Sequence, residues 1–126
     1  ADAAAALDWL ERENFDNSQC WIAGFSFGSF IAAQAVGGLV GQGISVERLL
    51  LIAPPVHYGG FAGLNQFPCA AGIIQGEEDE VVVPSEVYQW FGSLVTEARL
   101  EKLPGAGHFF HGKLTALKSL VTLLSS

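Results

Sequence analysis

Positive charge is scarce in this sequence of 126 residues: six lysines and arginines stand against thirteen acidic residues, and the formal net charge is −7. A protein that binds nucleic acid or an anionic membrane by charge needs the opposite balance. Long apolar runs are also absent, and none approaches the roughly 20 residues that span a bilayer. We therefore expect neither nucleic acid nor a membrane as a partner.

Cysteine is almost absent, with Cys20 and Cys69 as the only two. A disulfide framework or a structural zinc site needs more cysteines or a tighter spacing. Both cysteines lie in apolar runs, where a free thiol packs as a small hydrophobic side chain. We predict two reduced core cysteines in a cytoplasmic protein. The sequence also lacks a metal-ligand cluster, a phosphate-binding glycine loop and a nucleotide fingerprint, so we expect no cofactor.

Methionine is missing altogether, and the chain starts at Ala1. Asp2 and Asp8 interrupt the alanine-rich start, which therefore does not resemble the apolar region of a signal peptide. We expect either a processed chain or the back part of a longer polypeptide.

Apolar residues are abundant: they make up 50% of the chain, and the mean hydropathy is +0.35. This composition is typical of a folded protein with a core and excludes a disordered one. The length favours a single domain over residues 1–126.

Short apolar runs alternate with segments of helical periodicity, which predicts strands and helices in turn. Asp2 can cap a first helix. Strands are predicted at 19–24, 48–53, 70–75 and 99–103, further helices at about 27–36, 84–96 and 112–124, and a glycine-rich loop at 37–43. The alternation indicates an α/β fold in which about four strands form a parallel sheet with flanking helices. Ligands bind such sheets beyond the carboxyl ends of the strands.

A serine lies between two glycines where the first predicted strand ends, in the segment Gly24-Phe25-Ser26-Phe27-Gly28. A G-x-S-x-G turn between a buried strand and a helix is the setting of a nucleophilic serine. The backbone amide of Phe27 would then lie at the helix N-terminus, where an oxyanion can bind. The alternative is a strand-to-helix turn in which Ser26 only caps the helix.

A nucleophilic serine needs a base, and the base needs an acid that orients it. In this type of fold the chain order is serine, acid, histidine. Asp79 follows the third predicted strand and His108 follows the fourth, so the order is met. Three acidic residues of the same turn as Asp79, Glu77, Glu78 and Glu80, could supply the acid instead. The other histidines are His111, three residues beyond His108, and His57, in the loop after the second strand.

The segments "GFSFGS", "IIQGEEDEVVVP" and "PGAGHFFHGKL" resemble the alpha/beta hydrolases, in particular small cap-less serine hydrolases of the dienelactone-hydrolase-like kind. The resemblance runs through nearly the whole chain and implies the C-terminal portion of that fold. It also implies that the acid closes a Gly-x-x-Asp turn, which selects Asp79, and that the base lies in a GxxHFF loop, which selects His108. Several phenylalanines could line an acyl pocket, but only Phe27 is assigned to the site, through its backbone.

The function that the resemblance implies is hydrolysis of a carboxylic ester, a thioester or an activated amide through an acyl-enzyme, with a small-molecule acyl substrate. The short loop between the second and third strands predicts an open site. The alternative is a non-catalytic fragment or interaction module that retains the motifs.

The resemblance also implies what is missing. Relatives of this kind have strands before the nucleophile turn and an early loop that donates the second oxyanion amide. Without them one edge of strand 19–24 is bare, and an unpaired apolar edge promotes association. We expect either self-association or an N-terminal segment that covers this edge.

Overall fold

The computed structural model describes residues 20–61 and 63–124. Its strands are β1 (Cys20–Phe25), β2 (Val46–Ile52), β3 (Ala70–Gly76) and β4 (Ala98–Leu103), and its helices are α1 (Phe27–Gly41), α2 (Pro84–Gly92) and α3 (Leu114–Leu124). The helix predicted from Asp2 lies outside the described residues. Within the part of the chain that the structure describes, no helix is long and apolar enough to cross a membrane.

The four strands form one parallel sheet in the order β1-β2-β3-β4. The register places Ala23 of β1 beside Leu50 of β2, Leu50 beside Gly72 of β3, and Gly72 beside Arg99 of β4. The predicted fold class, a parallel sheet of about four strands with flanking helices, is confirmed. Because the strands are parallel, their carboxyl ends meet at one rim of the sheet.

Both faces of the sheet are covered, which explains why its central strands are apolar without alternation. Leu49 and Leu51 of β2 belong to one core cluster, which also includes residues of α1 and α2. Leu50, between them in sequence, belongs to a second cluster that includes Leu124 of α3. Cys69 is a free thiol that packs against the first cluster, and burial raises its pKa.

Helix α1 is longer than its sequence predicts, and the loop predicted over 37–43 is wrong for its first five residues. Glycines in a helix cost about 1 kcal/mol each relative to alanine, but Leu39 packs against the core and favours continuation of the helix. The helix ends at Gly41, and Gly43, two residues further on, has a φ of +88°. There the amides of Gly43 and Ile44 donate to the carbonyls of Val40 and Leu39, a glycine-terminated helix end.

The other two helices are shorter than predicted. Helix α2 ends at Gly92 instead of about Thr96, because the Ser93 hydroxyl donates to the Trp90 carbonyl at 2.6 Å and Thr96 is hydrogen-bonded to Phe67. Helix α3 begins at Leu114, two residues late, because Gly112 has a φ of +72° and does not continue a right-handed helix.

Strand β1 and helix α1 approach each other closely at Gly24. A Cβ atom added to Gly24 would lie 2.2 Å from the carbonyl oxygen of Gly28, which is a backbone clash. Gly38, in the interior of α1, has nothing within 4 Å of the corresponding position. A side chain at position 24 would therefore clash with the backbone of α1, whereas position 38 has room for one.

We expect Gly24→Ala to lower the free energy of unfolding by about 1–3 kcal/mol, as overpacking does elsewhere. The matched variant Gly38→Ala should raise it by about 0.5–1 kcal/mol, because alanine favours a helix interior. Urea unfolding followed by circular dichroism measures both. Equal stability of the two variants would contradict the close approach of β1 and α1.

Candidate functional site

Ser26 lies at the rim of the sheet, in the turn between β1 and α1, and its backbone conformation is strained. Its φ is 55° and its ψ is −122°, which costs of the order of 1–3 kcal/mol for a residue with a side chain. The surroundings hold this conformation: the Ser26 amide donates to the Ile52 carbonyl at 2.8 Å. The Ser26 carbonyl accepts from the Ser29 hydroxyl at 2.6 Å and from the Ser29 amide at 2.9 Å.

Two further non-glycine residues with positive φ occur among the described residues, Ala53 and Phe110. Ala53 directly follows β2, and Phe110 lies in the loop after β4. Like Ser26, both follow the carboxyl ends of strands. Strain of this kind gathers at functional sites, so its distribution indicates this rim as the functional edge of the sheet.

His108 lies in the loop after β4 and is buried, with 3% of its surface exposed. Its Nε2 is 2.9 Å from Ser26 Oγ. The ring also contacts two aromatic side chains, Phe25 at 5.3 Å and Phe109 at 5.0 Å between centroids. Phe110, which is almost fully buried, anchors the loop in the core.

The loop that carries His108 is hydrogen-bonded to the turn that carries Asp79. The Glu77 amide donates to the Leu103 carbonyl, and the Glu78 amide donates to the Ala106 carbonyl, both at 3.0 Å. A Cβ atom at Gly76 would lie 2.4 Å from that same Ala106 oxygen, so only glycine allows the approach. The glycine of the "GEED" turn thus sets the distance between acid and histidine.

Asp79 lies in this turn with its carboxylate buried. Its Oδ2 is 2.9 Å from His108 Nδ1, and its Oδ1 accepts from the amides of Val81 at 2.8 Å and Val82 at 2.7 Å. Burial raises the pKa of Asp79, but hydrogen bonds from Val82, His108, Val81 and Gln75 outweigh burial and hold the pKa below its ordinary value. The carboxylate is therefore ionised at neutral pH.

The structure thus brings Ser26, His108 and Asp79 into one hydrogen-bonded chain. It does not bring the other candidates there: Glu77, Glu78, Glu80, His57 and His111 are all exposed to solvent. The ring of His57 contacts the ring of Tyr58, and the ring of His111 contacts that of Phe109.

Phe27 is the first residue of α1, so its backbone amide has no acceptor within the helix.

Aromatic side chains surround Ser26 and His108 and remain partly exposed. Phe25 and Phe109 flank His108, with 38% and 56% of their surfaces exposed. Phe27 and Tyr58 contact each other at 5.3 Å between centroids and are 42% and 49% exposed. The sequence offers Tyr58 no recognisable motif, and its position is apparent only from the fold.

Sequence reasoning also missed Gln75. Its amide lies within the site, where Nε2 is 3.2 Å from Asp79 Oδ2. A signal was present, since Gln75 is a polar side chain at the end of an apolar strand, four residues before the acid.

Other features of the described residues lie apart from this chain of hydrogen bonds. An open groove of about 420 Å³ is lined by Val56, Glu86, Gln89, Trp90 and Ser93. Ser26, Asp79 and His108 are not part of its lining. In residues 20–61 and 63–124, no group of three or more His, Cys, Asp or Glu side chains could hold a metal ion.

Comparison with known proteins gives related sequences and structures, although no protein-family model matches the chain. An uncharacterised protein of Rickettsia prowazekii is 36% identical over 120 residues, which covers 89% of this chain and 49% of the relative. The solved structure of an alpha-beta serine hydrolase homologue from Coxiella burnetii is 36% identical, with a TM-score of 0.76. The match covers 99% of this chain and 57% of the Coxiella burnetii protein.

The solved structure of a serine hydrolase without lid from Xanthomonas campestris is 31% identical, with a TM-score of 0.67. This match covers 94% of this chain and 51% of the Xanthomonas campestris chain. The chain therefore spans about half the length of the relatives it matches. Its structural neighbours are alpha/beta hydrolases, and its four-stranded parallel sheet with three helices has the alpha/beta-hydrolase fold, consistent with the C-terminal portion of that fold.

Proposed function

We propose that this chain carries the catalytic centre of a serine hydrolase that acts on a carboxylic ester, a thioester or an activated amide. The fold alone does not decide the function. The observation that carries the proposal is the pair of 2.9 Å contacts that link Ser26 Oγ to His108 and His108 to the buried Asp79. The strained backbone of Ser26 supports it.

The protonation states follow from the contacts. An ionised carboxylate can only accept hydrogen bonds, so His108 Nδ1 must be the donor to Asp79 Oδ2. In the neutral imidazole, His108 Nε2 then carries no proton and can accept the proton of the Ser26 hydroxyl. The lowered pKa of Asp79 keeps this arrangement in place at neutral pH.

In the proposed reaction Ser26 Oγ attacks the substrate carbonyl carbon while His108 Nε2 takes the hydroxyl proton. The tetrahedral intermediate collapses, His108 returns the proton to the leaving group, and an acyl group remains on Ser26. Water then repeats the sequence. His108 takes a proton from the water as the water oxygen attacks the acyl carbonyl carbon, the bond between that carbon and Ser26 Oγ breaks, the carboxylic acid leaves, and His108 returns the proton to Ser26 Oγ. Asp79 orients the imidazole and stabilises its charged form throughout.

The negative oxygen of the intermediate needs hydrogen-bond donors. We assign the Phe27 backbone amide to this role, because it is unpaired within α1 and lies at the positive end of the helix dipole. It is the one oxyanion donor that we assign within this chain.

An open site with small or exposed acyl substrates fits the connection between β2 and β3, which is too short for a large lid, and the exposed aromatic side chains near Ser26. The Xanthomonas campestris relative is likewise a serine hydrolase without lid. We propose the same open arrangement here. An interaction module that retains the motifs is separated from an enzyme by the first experiment below.

A fluorophosphonate probe should label the protein at Ser26, because the reagent reacts with activated serines and not with ordinary hydroxyls. Labelling should disappear in Ser26→Ala and persist in Ser119→Ala, which removes an exposed serine from α3. Mass spectrometry of the labelled peptide gives the position. Equal labelling of wild type and Ser26→Ala would overturn the assignment of the nucleophile.

Asp79→Asn should reduce kcat by about 10³–10⁴, because an amide donor beside Nδ1 favours the imidazole tautomer that cannot accept the serine proton. Glu80→Gln, in the same turn, removes an exposed carboxylate and should leave kcat nearly unchanged. Hydrolysis of p-nitrophenyl acetate measures both variants. A larger loss of kcat in Glu80→Gln than in Asp79→Asn would show that Asp79 is not the acid.

The stability of the protein should depend on pH through Asp79. Its folded-state pKa lies below the unfolded value of about 3.9, so the ionised carboxylate stabilises the folded state. This contribution is complete above the unfolded pKa and is lost as pH falls through the lowered folded pKa. The difference in free energy of unfolding between wild type and Asp79→Asn should therefore be constant near neutrality and shrink below about pH 4. Urea unfolding across this range tests it, and a difference that grows on acidification would contradict the lowered pKa.

A further inference from the structure

Gln75 is a fully buried polar residue that the proposed reaction does not use directly. It is the penultimate residue of the apolar strand β3, and none of its surface is exposed. Its Nε2 donates to Asp79 Oδ2 at 3.2 Å and to the Gly76 carbonyl at 3.0 Å. Both partners are pure acceptors, so the nitrogen must face them and the orientation of the amide is determined.

With Gln75 included, the Asp79 carboxylate accepts four hydrogen bonds. Oδ1 accepts from the two amides of Val81 and Val82, and Oδ2 accepts from His108 and Gln75. Two oxygens offer about four lone-pair positions, so the acceptor capacity of the carboxylate is filled. Backbone amides restrain one oxygen, whereas Gln75 is the side chain that restrains the oxygen facing His108.

The two ends of the Gln75 amide act in opposite directions: Nε2 stabilises the buried Asp79 carboxylate, whereas Oε1 is unfavourable. Its Oε1 atom is buried and has no hydrogen-bond partner among the described residues. A buried carbonyl oxygen without a partner is unfavourable to folding, and an apolar side chain of similar length would avoid the penalty. The feature that an apolar side chain could not replace is the contact with Asp79.

We propose that Gln75 is a positioning residue for the hydrolase reaction, holding the Asp79 carboxylate in the orientation in which Oδ2 receives the His108 Nδ1 proton. The proposal rests on the proposed function. Gln75 acts on the reaction through Asp79 and His108 and makes no contact with Ser26 in the described structure. Its removal should therefore change the chemical step and not substrate binding.

The test is Gln75→Met in the full protein, with Gln75→Leu as a second apolar replacement and Gln42→Met as the control at an exposed glutamine. Active sites are counted with the fluorophosphonate probe, and p-nitrophenyl acetate hydrolysis gives kcat per active site and KM. For Gln75→Met we expect a kcat lower by about tenfold, the effect of losing one hydrogen bond to a charged group. KM should stay the same, and Gln42→Met should match wild type in both constants. Because kcat is counted per active site, a change in the thermal midpoint of Gln75→Met does not enter the comparison.

A double-mutant cycle separates positioning from packing. In an Asp79→Asn background Gln75→Met should have no further effect on kcat, because Gln75 acts through the carboxylate that is already lost. An equal loss in both backgrounds, or a loss of activity that disappears once it is divided by the count of active sites, would overturn the proposal.

Ser26→Ala and Gln75→Met test the nucleophile and the positioning residue separately. If Ser26→Ala hydrolyses the ester as fast as wild type, both fall together. If Ser26→Ala is inactive while Gln75→Met keeps the wild-type kcat, the serine hydrolase stands and only the role of Gln75 is wrong.

Discussion

The buried carboxylate of Asp79 is the group on which the geometry of the site depends. Burying a charge is unfavourable unless hydrogen bonds replace its water, and four donors do so here. These donors come from β3, from the turn after it and from the loop after β4. Satisfying one charge therefore holds the ends of two neighbouring strands together, and His108 is held in place as one of the four donors.

Two close backbone contacts, each at a glycine, bring the loops of the site together. Gly76 lets the Ala106 carbonyl approach β3, and Gly24 lets α1 approach β1. The first contact brings the His108 loop to the acid, and the second raises Ser26 on a strained turn that the Ile52 and Ser29 hydrogen bonds maintain. Parallel pairing of β1 with β2 and of β2 with β3 then brings the serine to the same rim as the acid and the histidine.

Much of this organisation could be predicted from the sequence, because its signals are local. Buried strands are short apolar runs, and Ser26, Asp79 and His108 each lie in a turn with its own glycine pattern. The helix ends were less predictable: Gly37 looked like a stop, but packing of Leu39 overrides the local preference, and the helix continues to Gly41, just before the left-handed Gly43. Gln75 was not predicted because a polar residue near the end of an apolar strand does not by itself name its partner, which the turn geometry defines. The catalytic roles, the cytoplasmic location and a covering segment or second copy at β1 remain predictions.

The central claim is that Ser26 forms a covalent acyl intermediate, and trapping that intermediate tests it most directly. The protein is mixed with p-nitrophenyl acetate, quenched in acid during turnover, digested and sequenced by tandem mass spectrometry. The account predicts an acetyl group on Ser26 that appears with turnover and is absent when His108 is replaced by alanine. Sustained turnover with Ser26 unmodified, or with the acetyl group on another residue, would contradict it.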